Sequence, residues 1–210
     1  MAYNKNSAKV LAKKESKRQA IMEAVIKTVA EKGFHKTNIS EIAKAAGVAD
    51  GTVYLYYKSK DEMFIKAFEE LARNKLAAIR ELLKTEKTAL AKLNSFFNHH
   101  IDVITETPYI ARFIGVEIRQ SPQFYKKFPD YQPFQEYIGY IQELIEAAKA
   151  EGSIADVDSQ AVSYIIFGTM DYILAEWSIR NHNFPLSQIK DRITTVLKFG
   201  LFKREGEYKD

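Results

Sequence analysis

Apolar residues recur along this chain at intervals of three and four, and almost nowhere at intervals of two. That period marks helices with one buried face, so the sequence predicts an all-α protein. The first stripe, Ile21, Ala24, Val25, Thr28 and Val29, predicts a helix over about Lys14–Lys32, stopped by Gly33 before Phe34 turns back into the core. Asn38, with Glu41 three residues on, makes the capping box of a short second helix that buries Ile39, Ile42, Ala43 and Ala46 and ends at Gly47. Only Val48, Ala49 and Asp50 precede the next helical run, Gly51–Tyr57, and a connection of that length is the tight turn of a helix-turn-helix. Ser59 and Glu62 form a second capping box, opening a long helix to about Lys84 with Phe64, Ala67, Phe68, Leu71 and Ile79 on one face. Further helices are predicted at about 87–105, 109–120, 133–151, 157–181 and 185–203. The expected organisation is a flexible basic tail over residues 1–14, a helix-turn-helix domain over 15–62 and a larger helical domain over 63–210.

The predicted third helix sorts its residues by side. Val48 in the turn, with Val53 and Tyr57 four apart, face inward, because positions i and i+4 share a helix face. Thr52 and Tyr56 point elsewhere together, flanked by Gly51 and Leu55. Gly51 carries no side chain where the helix begins, so backbone amides there can approach a phosphate or base edge, and a helix N-terminus attracts anions. Tyr54 can donate its hydroxyl to a phosphate, with Lys58 and Lys60 supplying positive charge beside it. Tyr57 is expected in the core, whereas Tyr54, Tyr56 and Lys60 are expected to face nucleic acid.

Charge strengthens that expectation. The net +4 conceals an asymmetry: residues 1–60 hold 12 Lys/Arg against 5 Asp/Glu, while residues 61–210 hold 19 against 22. A basic end on a mildly acidic body suits electrostatic attachment to a polyanion. Hydrophobic residues make up 46% and charged residues 28%, the composition of a soluble globular protein. The absence of cysteine excludes disulfides and thiolate zinc sites and fits a cytoplasmic setting. The first twenty residues contain no apolar signal segment, and the most apolar run, Tyr164–Trp177, is broken by Asp171 and too short to span a bilayer, so no membrane association is expected. The chain holds no P-loop, GxSxG, HExxH or GxGxxG motif, and its adjacent His99 and His100 diverge by about 100° on a helix, which makes a poor chelate. Neither catalysis nor a metal is expected, and a purely architectural DNA-binding protein would not need so large a C-terminal body.

The run TNISEIAKAAGVADGTVYLYYKSKDEMF, residues 37–64, resembles the DNA-binding signature of the tetracycline-repressor (TetR) family of bacterial transcriptional regulators. The resemblance covers about residues 17–64 and extends over the remainder by length and helix count. It implies a two-domain, all-helical homodimer, with three N-terminal helices on double-stranded operator DNA and a C-terminal domain that holds a ligand pocket and the dimer interface. By this resemblance Thr37 and Ser40 fall at the start of the second helix, where the family touches DNA. Thr52, Tyr54 and Tyr56 fall in the recognition helix, and Lys60 on the lysine that meets a phosphate at the head of the fourth helix. Ala49 stands where the family often has serine, and Tyr57 where it usually has phenylalanine. Asp50 places a negative charge near DNA, implying contact with a base amino group or with a neighbouring basic side chain.

Beyond the helix-turn-helix, Ser163–Trp177 is apolar nearly all round and must be buried on more than one side, in part against a second subunit. With Ile189, Ile193, Val196 and Gly200 of the last helix it predicts a four-helix dimer bundle, in which Gly168 permits close approach. Aromatic residues crowd the central helices, and a hydrophobic effector pocket is expected among Phe97, His100, Ile104, Arg112, Phe113 and Trp177. Glu117, Arg119 and Asp171 are charges in apolar context, either at the pocket mouth or in a buried ion pair. The pieces GVADGTVYLYYKSKDEMF, IGVEIRQSP and IIFGTMDYILAEW together resemble the fatty-acid-degradation repressors of the same family. That resemblance implies no resident cofactor but an effector, long-chain acyl-coenzyme A. Its anionic part would meet Arg112 or Arg119, and its binding would release the repressor from genes of lipid metabolism. The alternative is a repressor of an efflux or catabolic operon answering a different hydrophobic small molecule.

Overall fold

The computed structural model describes residues 2–118, 125–126, 128–180 and 185–199, apart from the side chains of 2–7, 103–105, 116–118 and 197–199. Every regular element among them is helical. Helix α1 spans Ala2–Lys32 and so starts well before the predicted Lys14. Hydrophobic periodicity could not reveal that start, because residues 8–17 are all exposed and bury no stripe. Residues 2–14 nevertheless contain no Gly or Pro, and their Ala, Lys and Leu favour helix.

Helix α2 (Ile39–Ala45) begins with the expected reciprocal cap: the Glu41 amide donates to Asn38 Oδ1 at 2.9 Å, and the Asn38 amide to Glu41 Oε2 at 3.2 Å. It ends at Gly47, whose φ of 67° lets the Gly47 and Val48 amides fold back onto the Lys44 and Ala43 carbonyls. Helix α3 is Asp50–Tyr54, shorter than predicted, because the Leu55 and Tyr56 amides tighten onto the carbonyls of Thr52 and Val53, three residues back. Helix α4 (Lys60–Leu82) has an asymmetric cap. Ser59 Oγ accepts from the Glu62 amide, but the Glu62 carboxylate takes the Lys58 amide at 2.6 Å instead of that of Ser59.

A short 3₁₀ turn, Leu83–Thr85, leads to α5 (Ala89–Glu106). Pro108 then opens α6 (Pro108–Arg112), which passes into a π turn over Phe113–Ile118. Helices α7 (Gln135–Ala150), α8 (Ser159–Ile179) and α9 (Leu186–Phe199) complete the described elements.

The chain packs as two compact units, and the division does not follow the order of the sequence. One comprises Met1–Arg80 with Thr107–Tyr137, the other Glu81–Glu106 with Ile138–Asp210. In the first, Ile21, Val25, Val29, Ile42, Val53, Phe64 and Phe68 share a core with Ile110 and Phe113 from the α6 segment. The Phe64 ring lies 4.7 Å from Phe34 and 5.2 Å from Phe113, and Phe68 lies 5.5 Å from Phe134. In the second, Phe96, Ile101, Ile141, Ile145 and Met170 are fully buried. The Glu151 carboxylate accepts the Ala89 amide at 2.8 Å at the head of α5, and Lys190 of α9 pairs with Asp102 of α5 at 2.8 Å.

Candidate nucleic-acid interface

The side chains of α3 divide as their spacing predicts. Val53 and Tyr57 are buried, and Val48 packs partly buried against the same core. Burial also raises the Tyr57 pKa. On the other side Tyr54 is 56% and Leu55 81% exposed, and Gly51 has open space where a Cβ would stand. Thr52 is half-buried between these faces. Tyr56 is half-buried too, and its hydroxyl donates to the Lys14 carbonyl at 3.1 Å, tying the end of α3 to α1.

Ser40 is exposed at the start of α2 and donates its hydroxyl to the Asp50 carboxylate, which joins the starts of α2 and α3. The neighbour of Asp50 within the chain is therefore a hydroxyl and not the basic side chain considered from sequence. Thr37 is the clearest departure. It is 2% exposed, its hydroxyl donates to the Gly33 carbonyl at 2.9 Å and its amide to the same carbonyl at 3.2 Å. Both donors serve the corner after α1, so its side chain presents nothing to a nucleic acid. Lys58 is exposed. Lys60, half-buried at the head of α4, donates to the His35 carbonyl at 3.3 Å and stands 4.6 Å over the Phe34 ring, and burial lowers its pKa.

The residues expected around an effector divide between the two units. Arg112 and Phe113 belong to the first. Phe113 is fully buried, and Arg112 Nε is buried with no hydrogen-bond partner among the described residues. Arg112 sits where α6 widens into the π turn, an irregularity frequent at functional sites. Phe97, His100, Asp171 and Trp177 belong to the second unit, with Phe97 and Trp177 buried and His100 and Asp171 half-buried. The His100 ring is near-parallel to Phe96 at 6.4 Å. Burial, and secondarily the neighbouring His99, lowers the His100 pKa to about 4, so the imidazole is neutral at neutral pH. The side chains of Ile104 and Glu117, and all of Arg119 and Gly200, lie outside the described residues.

A model of the bacterial regulatory proteins of the tetR family matches residues 21–67, and one of the C-terminal region of YsiA-like proteins matches residues 68–200. The chain belongs to the TetR family of transcriptional regulators. Similar to this TetR-family chain is the fatty acid metabolism regulator protein of Bacillus subtilis (strain 168), 27% identical over 196 residues that cover 92% of this chain and all of that protein. Among solved structures, the fatty acid degradation regulator FadR from Bacillus halodurans superposes with a TM-score of 0.80 at 28% identity, covering 88% of this chain and 99% of its own. The transcriptional regulator FadR from Bacillus subtilis, in complex with stearoyl-CoA, superposes with a TM-score of 0.79 at 27% identity and the same coverage. The family is one of regulators and not of enzymes. Among the described residues no helix is long and apolar enough to cross a membrane, and no group of three or more His, Cys, Asp or Glu is placed to hold a metal ion.

Two features of this TetR-family fold were missed by the sequence reading. Arg18 is shared between Glu15 and Glu70, reaching Glu70 Oε1 at 2.8 Å, and so fastens α1 to α4. The Glu15–Arg18 half has visible helical spacing, but Glu70 lies 52 residues away and carries no signal of its own. The second is the hold of Tyr56 on Lys14, which fixes α1 at that residue beside the end of α3. An unbroken, lysine-rich run with no acid before Glu15 was the available hint.

Proposed function

We propose that this chain is a cytoplasmic repressor that binds palindromic operator DNA as a homodimer and is released by a long-chain fatty acyl-coenzyme A. The observation that carries the DNA reading is the sorting of α3. Val53 and Tyr57 fix the helix to its own core, while Gly51, Tyr54 and Leu55 stand clear of it at the basic end of the chain. In a major groove Leu55 can meet a thymine methyl and Thr52 a base edge. Tyr54, Lys58 and Lys60 take phosphates, and Ser40 with Asp50 frames the entrance of the helix. Residues 15–62 form the DNA-binding part and residues 63–210 the ligand-binding and dimerisation part.

Helix α8 supports the homodimer. Its face of Ile166, Phe167, Met170, Ile173, Leu174 and Trp177 is buried, yet Tyr164, Ile165, Tyr172 and Ile179 are each more than half exposed on other sides. Among the described residues nothing beyond its own helix turn stands within 4 Å of a Cβ built at Gly168, which leaves that position open to a second helix. A second copy covers such a stripe and supplies the two-fold axis that a palindrome requires.

The effector reading draws on the relatives named for fatty acid metabolism and on the FadR complex with stearoyl-CoA. It draws equally on Arg112, since a buried guanidinium nitrogen without an acceptor among the described residues is costly and an anionic coenzyme A group would provide one. Phe113, the next residue, shares its core with the DNA-binding helices, and Lys27 of α1 lies 5.6 Å over the Tyr109 ring. A ligand that draws on Arg112 therefore shifts α6 and with it α1. The population moves to states whose recognition helices no longer match half-sites about 34–36 Å apart.

Fluorescence anisotropy on an operator recovered by selecting bound genomic fragments tests this, with stearoyl-CoA and with free coenzyme A. Selective binding abolished by stearoyl-CoA alone is the expected result. Selective binding that ignores acyl-CoA leaves a repressor of another hydrophobic effector, and uniform binding to all duplexes removes the operator reading.

A further inference from the structure

We propose that the projecting turns of α1 form a second nucleic-acid contact, in which Lys9, Lys13 and Lys17 hold phosphates of the duplex flanking the sequence read by α3. The inference rests on the operator-binding reading above and extends it to a segment that reading leaves unused.

The described side chains of these turns bury nothing. Residues 8–17 are all exposed, whereas the core-packed part of α1 begins near Ile21. Their charge is one-sided: residues 1–14 contain four lysines and no acid, and the first acid, Glu15, is taken by Arg18. Among the described residues Lys9, Lys13, Lys14 and Lys17 form no ion pair.

Position decides which polyanion they meet. The Tyr56 hydroxyl donates to the Lys14 carbonyl, so residue 14 lies beside the end of the recognition helix. From there α1 continues to Ala2, about 18 Å at a rise of about 1.5 Å per residue. A major groove is about 12 Å wide, so this length is enough to carry the lysines past one groove wall to the phosphates beyond it. Lys9, Lys13 and Lys17 follow one another at steps of four, along one face of the helix. Lysine presents a point charge without the planar fork that reads guanine, so these contacts add affinity and not selectivity. The other polyanion a basic helix can meet is an anionic membrane. Among the described side chains of these turns Val10 and Leu11 are the only large apolar ones exposed, too few to bury an interfacial face.

The test compares the wild-type chain with K9A/K13A, with K9R/K13R, and with K84A/K87A, which removes the same charge from exposed residues of the other unit. Alanine keeps the helix, and circular dichroism checks that it has. Anisotropy is measured against salt on the selected operator, with and without about ten flanking base pairs on each side, one turn of duplex. We expect K9A/K13A to bind the flanked operator more weakly, with a salt slope shallower by about 0.9 for each lysine contact removed, or about 2 per protomer. Its preference for the operator over scrambled duplex should be unchanged, K9R/K13R should restore the slope, and K84A/K87A should leave it alone. A slope for K9A/K13A equal to wild type, with wild-type binding still selective, overturns the flanking contact and keeps the operator reading. An equal loss in K84A/K87A overturns it as a net-charge effect, and binding to anionic phosphatidylserine vesicles lost in K9A/K13A while the DNA slope is unchanged overturns it in favour of lipid. Absence of selective binding by the wild-type chain overturns both readings together.

Discussion

Histidine 100 offers a measurement that joins burial to function. Replacing it by glutamine keeps a polar side chain of similar reach and removes its titration. An unperturbed histidine titrates near about 6.5, whereas burial, with His99 adding to it, holds His100 at about 4. As pH falls below about 6.5 the unfolded chain takes up a proton that the folded chain refuses until about pH 4, so stability is complete above that window and drains through it. At about 1.36 kcal/mol per pH unit the full loss is about 3 kcal/mol, of which about 2 kcal/mol is gone by pH 5. Carboxylates also titrate in this range, but their contributions cancel in the difference between wild type and His100→Gln. The destabilisation caused by His100→Gln should therefore shrink by about 2 kcal/mol between pH 7.5 and pH 5. Trp177 is the sole tryptophan, buried in the same unit as His100, so its fluorescence during urea unfolding reports the relevant transition. A difference between the two proteins that stays constant with pH would refute the desolvation of His100. It would also return His100 to the set of cations available to an anionic effector, from which its neutrality otherwise removes it.

Thr37→Val should cost about 1 kcal/mol of stability, through loss of the hydroxyl bond to Gly33, and leave operator affinity unchanged in anisotropy. A loss of affinity greater than the loss of folded protein would put Thr37 back on the DNA. Tyr54→Phe and Lys60→Ala should weaken binding to every duplex alike, while Thr52→Ala should change preference at particular bases; competition over a randomised operator library separates the two patterns. Tyr172→Glu should place a charge in the exposed stripe of α8 and give a monomer in sedimentation at micromolar concentration, and a dimer there would move the interface elsewhere. Arg112→Ala should keep operator affinity and blunt release by stearoyl-CoA, and an unaltered dose response would dissociate Arg112 from the effector.

Local chemistry carried most of what could be read from the chain. The caps at Asn38 and Ser59 and the stop at Gly47 rest on contacts between residues a few positions apart, and their spacing announced them. The inward face of α3 was legible because Val53 and Tyr57 need only helical geometry to share a side. Reading failed where a residue's fate depends on distant chain. The family resemblance puts Thr37 at a contact position, but the corner between α1 and α2 closes over it. The start of α1 was illegible for the opposite reason: an exposed helix buries nothing and leaves no period. The division of the residues expected around an effector between two units was hidden too, since helical periodicity says which face is buried and not against which element.

The return of residues 107–137 to the unit that holds the helix-turn-helix bears on how such regulators can be recombined. Ile110 and Phe113 complete a core whose other buried members lie before residue 72, so a graft cut at the end of the helix-turn-helix would take the reading head without two of its keystones. Joined to a foreign sensor, that head would inherit a hole the size of an isoleucine and a phenylalanine, or whatever the new neighbour happened to put there. A workable chimera has to transplant two separate stretches of chain, or redesign the seam from the foreign side. By the same reasoning, drift in the α6 segment is answerable to the DNA-reading end of the molecule as well as to any effector that Arg112 meets, and sensing cannot diversify there without consulting it.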